Sequence, residues 1–297
     1  MSAIKNVTLV GGSGRLGTFI LDKLLASKFN VQVLRRAGSS SNYATSAVVE
    51  ADFTDLESLK AAFQGQDAVV SVVNDAGVPG QKLLIDAAIA AGVKRFLPSN
   101  FGSNMTNPNS RKLPVFAGKV AVEDYLIEKS KTTDLTYSFV YTGGFTDFCI
   151  QNKVIIDFSE YKPTLFNGGE TEFSTTSMPT VGDAVVGVLE HPAETQNRPV
   201  YVSELVTSQN QLLSVAKRLA PNKPWAPVTA DLDVLAASAI ERFTQGQHDF
   251  PTIITVLLKG ILDPEYGTKF TENDNELLGI KVKSEEYLVE LLTPLVK

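Results

Sequence analysis

The sequence is short of cysteine. Cys149 is the only one in 297 residues, so no intramolecular disulfide can close and the chain suits a reducing compartment. Histidine is nearly as scarce, with His191 and His248 the only two. One thiol and two imidazoles are too few for a closed zinc site, and no metal is expected. Long hydrophobic runs are missing as well. The longest in the second half, over 253–258, falls well short of the roughly 18 residues that cross a bilayer. Residues 1–6 lead straight into an apolar strand, without the apolar stretch and small-residue cleavage site of a signal peptide. A cytoplasmic protein without a membrane partner is the expectation. Cations are not in excess either. Lys and Arg number 27 against 33 Asp and Glu, a formal charge of −6. Nucleic acid is therefore not expected as a partner, because neutralising phosphates takes clustered cations. Internal repeats and low-complexity tracts are absent, and 39–42 is a short polar loop rather than a linker.

What is present is an ordinary globular composition, 43% apolar, in a chain long enough to bury roughly 75% of its unfolded surface. The first half alternates short β-rich runs, over 7–10, 31–34, 47–50, 68–73, 95–97 and 137–141, with longer helical patterns. Leu16, Ile20, Leu21, Leu24 and Leu25 recur at helical spacing. Asp55 caps a helix carrying Leu56, Leu59, Ala62 and Phe63. Further helices are predicted over 81–91, ending at Gly92, and over 116–129. Continuous apolar strands alternating with helices imply parallel strands covered on both faces, and right-handed crossovers then give an α/β doubly wound sheet. After about residue 155 the pattern loosens. A helix over 180–189 and a strand over 199–202 return to the sheet, while 209–219, 232–243 and 252–262 read as helices separated by Pro221, Pro224, Pro227 and Pro251. Ser284 caps a last helix to 292, with Glu285 and Glu286 in its first turn. The expected organisation is a Rossmann unit over 1–155, rejoined by 174–205, with a smaller, mainly helical substrate lobe from 156–173 and 206–297.

The sharpest motif is Gly11-Gly12-Ser13-Gly14-Arg15-Leu16-Gly17, between the first strand and the first helix. Gly11 permits the tight turn, Gly14 lets backbone approach a pyrophosphate, and Gly17 lets the helix pack on the strand. The N–H groups and dipole at the helix start attract the anion. A dinucleotide loop explains three glycines in this context better than an ordinary βα turn does. At the end of the second strand, where NAD sites carry an acid for the ribose 2′-hydroxyl, stand Arg35 and Arg36. A carboxylate would repel a 2′-phosphate, whereas a guanidinium binds one, and Arg15 is within reach of the same group. NADP(H) is the expected cofactor. Asp52 and Phe53 follow the third strand, either as an adenine contact or as a turn into the next helix with a buried Phe. Asn74 follows the fourth strand, and Ser99, Asn100 and Phe101 follow the fifth, where open α/β sheets place ligands. Asp147 and Phe148 are candidates to face a substrate pocket.

Weaker constellations carry structural readings. Gly11 to Gly14 resembles the start of a nucleophile elbow, but Arg15 stands where its second glycine belongs. His191 sits at a helix end, as a dipole partner. His248 reads as part of an exposed turn and Cys149 as a small core residue. Trp225 is either lobe packing or a substrate wall.

Together the glycine loop, Arg35-Arg36, the run Leu97-Pro98-Ser99-Asn100-Phe101-Gly102, the later Lys119 and Val181-Gly182-Asp183-Ala184-Val185 resemble the isoflavone reductase-like, NmrA-like group of atypical short-chain dehydrogenases. The likeness covers most of the first 205 residues. It implies an NADP-binding Rossmann domain with a small substrate lobe, and for the plant reductases hydride transfer from NADPH to phenolic ethers and enones. Other members hold NADP(H) as sensors that regulate a protein partner without turnover, and this is the competing reading. The Tyr-x-x-x-Lys of typical short-chain dehydrogenases is broken here, because Val115 precedes Lys119. The reductase branch keeps a lysine at the start of this helix. The resemblance assigns Lys119 to donate a proton or to orient the ribose and a water, against a bland reading as a solvated lysine. It also places an aromatic, here Phe145, beside the nicotinamide. Gly143 and Gly144 stand where plant reductases carry larger residues, and a wider pocket is expected there. The function implied is NADPH-dependent reduction of a small, aromatic carbonyl, enone or ether.

Overall fold

The computed structural model describes residues 3–45 and 47–296; the lead-in residues Met1 and Ser2 lie outside them. Eleven strands occur among the described residues: β1 (Asn6–Val10), β2 (Asn30–Arg36), β3 (Val48–Ala51), β4 (Ala68–Ser71), β5 (Arg95–Leu97), β6 (Thr136–Tyr141), β7 (Thr164–Phe166), β8 (Phe173–Thr175), β9 (Arg198–Tyr201), β10 (Leu205–Thr207) and β11 (Val228–Ala230). The α-helices are α1 (Arg15–Leu25), α2 (Leu56–Ala62), α3 (Gln81–Ala90), α4 (Pro108–Lys112), α5 (Ala117–Ser130), α6 (Thr146–Gln151), α7 (Met178–Glu190), α8 (Gln209–Leu219), α9 (Leu232–Thr244), α10 (Phe250–Leu262), α11 (Asn275–Leu278) and α12 (Glu285–Val296).

Seven strands form one sheet in the order β3-β2-β1-β4-β5-β6-β9, every pair parallel. This is the doubly wound Rossmann arrangement, with the order reversing between β1 and β4, the crevice where such sheets bind ligands. Strand periodicity splits the core in two. Val7, Leu9, Val33 and Val70 face α1 and α7; Val10, Leu34 and Val69 face α2, α3 and α5. Both faces are covered, which is why the strands read as unbroken apolar runs. Helices α1 and α7 approach closely at Gly182, where an added Cβ would lie 2.9 Å from the Phe19 carbonyl oxygen, and Lys23 and Asp183 pair at 2.7 Å across them.

β9 closes the sheet beside β6, with Ser138 opposite Arg198 and Tyr141 opposite Tyr201. Asp274 holds that strand from outside, accepting from Arg198 Nη2 at 2.7 Å and the Tyr201 backbone N–H at 2.8 Å. A third core gathers Cys149, Ile150, Phe158, Phe173, Leu212, Leu232, Leu258 and Leu292 from the later part of the chain. There the β10–β8 and β11–β7 pairs are three residues long, too short to show a period in the sequence. β4 ends at Ser71 rather than at 73. Val72 makes the last ladder bond to Val10, and the chain then turns away toward the crevice.

Candidate active site

The crevice at the switch point is a cleft of about 650 Å³. Its floor is the turn from β1 into α1. Gly11 has φ +88°, and an added Cβ there would lie 2.5 Å from the Val72 carbonyl oxygen, so glycine is required by conformation and by space. A Cβ on Gly17 would come within 2.1 Å of the Gly11 oxygen, which is how α1 seats on the loop. Gly14 is the N-cap of α1 and brings no side chain to it. The N–H groups of the first turn, Arg15 and Leu16 among them, have no partner within the helix, and Ser13, Gly14, Arg15 and Leu16 line the cleft. An uncapped helix start facing a cavity is an anion site. Gly12 and Gly17 are buried beneath this lining.

One end of the cleft opens to solvent between β2 and β3. Arg35 and Arg36 both line it, but they are not equivalent. Arg35 sits in register with Glu50, ion-pairs with it, and donates from Nη1 to the Ser41 carbonyl at 3.1 Å. Arg36 is exposed and has no ion pair among the described residues. Ser39, Ser41, Tyr43 and Thr54 complete this end. Sequence reading passed over Ser39 and Ser41 as a polar loop, although hydroxyls directly after an arginine pair were the available signal. Phe53 lines the cleft while packing on the core. Asp52 does not line it. Its carboxylate accepts from the Thr54 amide at 2.8 Å and hydroxyl at 2.7 Å, and these bonds hold its pKa below the usual carboxylate value. Of the two readings of Asp52, the turn into α2 is the one its bonds support.

The rest of the lining comes from the chain after β4, β5 and β6 and from α5. Asn74 caps the helical turn over 75–80 by accepting from the Gly77 amide at 3.1 Å. Ser99 donates its hydroxyl to the Val73 carbonyl at 2.7 Å, and its amide to Gln81 Oε1 at 2.9 Å. Phe101 and Phe145 form walls, and Lys119, near the start of α5, lines the same part. Lys119 is half-buried. Burial lowers its pKa, against the opposing pull of the Asp75 and Glu123 charges. That placement differs from a solvated helix face.

Five further residues expected in the cleft do not line it. Asn100 is fully buried and gives its amide N–H to Glu123. Gly143 and Gly144 do not widen a pocket. Gly143 has φ +64°, and a Cβ would lie 2.0 Å from the Ser174 carbonyl oxygen. Gly144 bridges to Thr175 and accepts its hydroxyl at 2.6 Å. The bare Gly143 lets β8 lie against the chain leaving β6, while a Cβ on Gly144 would meet the Cys149 sulfur at 3.3 Å. Asp147 accepts from the amides of Phe148 at 2.9 Å and Met178 at 3.2 Å, so it is committed to the start of α7. Phe148 is outside the lining as well, but its ring carries the Arg15 guanidinium 4.4 Å from its centroid, so it orients a cleft residue.

The remaining candidates are structural. Cys149 is buried, which pushes its thiol up to about 12. His248 Nε2 lies 3.1 Å from the Phe243 carbonyl, on an exposed turn. Trp225 donates to the Ala220 carbonyl at 2.9 Å and packs edge-on to Phe158 and Tyr161. Among the described residues, no group of three or more His, Cys, Asp or Glu could hold a metal ion, and no helix is long and apolar enough to cross a membrane.

Comparison with known proteins adds a frame to this geometry. A profile of the NmrA-like family matches residues 3–235. Oxidoreductase poxI of Penicillium oxalicum is 31% identical over 294 residues, spanning 95% of this chain and 92% of its own. Oxidoreductase aprR of Aspergillus flavus is 34% identical over 248 residues, spanning 81% of this chain and 82% of that one. The solved structure of AtPrR2 with NADP+ and (+)pinoresinol superposes with a TM-score of 0.79 at 20% identity, covering 98% of this chain and 100% of that one. At that identity the likeness is one of fold.

Proposed function

The chain belongs to the NmrA-like family, and from that footing we propose that it is an NADP-dependent oxidoreductase: a reductase of a small, aromatic carbonyl, enone or ether, with Lys119 on the proton side. One observation carries the reading. A single cleft is lined by an uncapped helix start, by an exposed Arg36 with no ion pair among the described residues, and by a half-buried lysine together with Phe101 and Phe145.

The residues present suit the cofactor. The first-turn N–H groups of α1 would take the pyrophosphate, Arg36 with Ser39 and Ser41 the 2′-phosphate, and Phe53 the adenine face. Asn74, Ser99 and Phe145 would border the nicotinamide. When bound, NADPH supplies the hydride. What the chain supplies is position, dryness and a proton. Phe101 and Phe145 exclude water and favour a flat, apolar substrate. Lys119, its ammonium made more acidic by burial, donates to the oxygen that gains charge as the hydride arrives, or holds the group that does. The related oxidoreductases of Penicillium and Aspergillus support the reaction class, and the AtPrR2 complex supports an aromatic substrate. The later, helical part of the chain is proposed as the substrate lobe over 156–173 and 206–297, and the single buried thiol suits a reducing cytoplasm.

The test is turnover with NADPH against phenolic ketones, enones and benzylic ethers, followed by loss of the reduced-nicotinamide absorbance. Substrate-dependent oxidation supports a reductase. Tight binding of both NADP forms with no turnover on any of the panel, together with capture of a protein partner, would replace it with the sensing role.

A further inference from the structure

Glu123 is a buried acid to which the reaction above gives no task. It is 1% exposed. Tyr141 donates its hydroxyl to Oε1 at 2.7 Å, Asn100 donates its amide to the same oxygen, and Arg111 donates from Nη1 to Oε2 at 3.0 Å. Three donors and no acceptor converge on it, the arrangement of an ionised carboxylate. Burial is the largest influence and leaves its pKa above the usual carboxylate value, while the three hydrogen bonds and the Arg111 charge oppose that rise. A buried ion pair is a poor way to stabilise a core, since well-packed apolar residues of similar size do as well or better. The retained charge therefore calls for another explanation.

Lys119 stands four residues earlier on α5, and side chains at this spacing share a helix face. Resting on the reading of Lys119 as the proton-handling group, we propose that Glu123 is a positioning residue for it: its buried carboxylate keeps the Lys119 amine protonated and fixes the orientation of the Asn100 amide beside it. Asp75, from the turn over 75–80, also raises the Lys119 pKa, and more than Glu123 does, but it is exposed and open to screening by salt. Arg111 on α4 is paired with Glu123 and with Asp124. On α3, Lys82 lies over the Tyr125 ring and Asp86 accepts the Tyr125 hydroxyl. β6 offers Tyr137 and Tyr141, phenols kept neutral because burial and the Glu123 charge raise their pKa. Glu123 is the one buried charge among these that acts on Lys119.

With its N–H₂ drawn to Glu123, Asn100 keeps Oδ1 as its free end, and that oxygen is buried without a partner among the described residues. Asn100 stands between Ser99 and Phe101, both of which line the cleft. A neutral amide at position 123 could offer either a donor or an acceptor, and would release Asn100 to turn over.

The experiment titrates Lys119 in cofactor-free protein, by its acylation rate against pH with the modified peptide quantified by mass spectrometry. Glu123→Gln should move the midpoint down by about one pH unit, while Glu123→Asp, which keeps the charge but disturbs the geometry, should stay near the parent value. If Glu123→Gln does not fold, the double variant Arg111→Gln/Glu123→Gln removes both charges at once. It should show a fall in the same direction but a smaller one, because Arg111 lies 3.0 Å from Glu123 and its charge partly cancels the carboxylate's at Lys119. A midpoint that stays put in the folded neutral variants overturns the proposal, as does an equal shift in Glu123→Asp, which would assign the effect to packing. No cofactor or turnover enters this readout, so failure of the reductase reading is detected separately, in Lys119→Met.

Discussion

The two ends of the cleft are built on opposite principles. The β2–β3 end is wet and cationic, with Arg36 exposed and Arg35 half-neutralised by Glu50. The α5 end holds a half-buried amine with Phe101 and Phe145 in the same lining and the buried Glu123 on the same helix. Charges at the first end act through water and serve recognition. Charges at the second act at low dielectric, where small changes in protonation carry large energies. The contrast teaches that affinity for the cofactor and the chemistry performed on its partner are separately tunable in this chain.

Substitutions can break that separation or sharpen it. The largest effect is expected at the α5 end. Lys119→Met should lower kcat by about 100-fold or more with NADPH affinity, measured calorimetrically, nearly unchanged. Equal losses in both would show that the two ends are not independent. Next is Arg36→Asp, which should reduce the ratio of NADPH to NADH affinity by about 10- to 100-fold and leave kcat at saturating cofactor close to the parent value. The smallest is Glu50→Gln. Freeing Arg35 from its carboxylate partner should tighten binding of 2′,5′-ADP by about threefold, with little effect on 5′-AMP, and added salt should erase the gain.

The same contrast explains what could be read from the sequence. That the glycine loop, the arginine pair and Lys119 share one cleft was legible because each is a local pattern: a strand, a turn and a helix in order, with the side chains at fixed offsets. The doubly wound sheet was legible for the same reason, including the return of β9. Glu123 was not, because its meaning comes from Asn100, Arg111 and Tyr141, which three other segments deliver. Glu50 was missed because only the β2–β3 register sets it against Arg35. Gly143 and Gly144 were noticed but given the wrong neighbour. A glycine in the sequence reports that something comes close: for Gly143 it is the backbone of β8, thirty residues on, and for Gly144 the side chain of Cys149. Asp147 likewise reads as a free acid until α7 arrives to claim it.

The position of β9 limits how this molecule can be taken apart. A fragment stopped at residue 155 would bare the edge of β6 along Ser138–Tyr141, and would strip α7 from the apolar side of α1. Both are surfaces on which chains aggregate. Transplanting the nucleotide-binding half into another scaffold therefore means carrying residues 178–201 with it, spliced across the gap, together with an acid in place of Asp274 to secure the grafted strand.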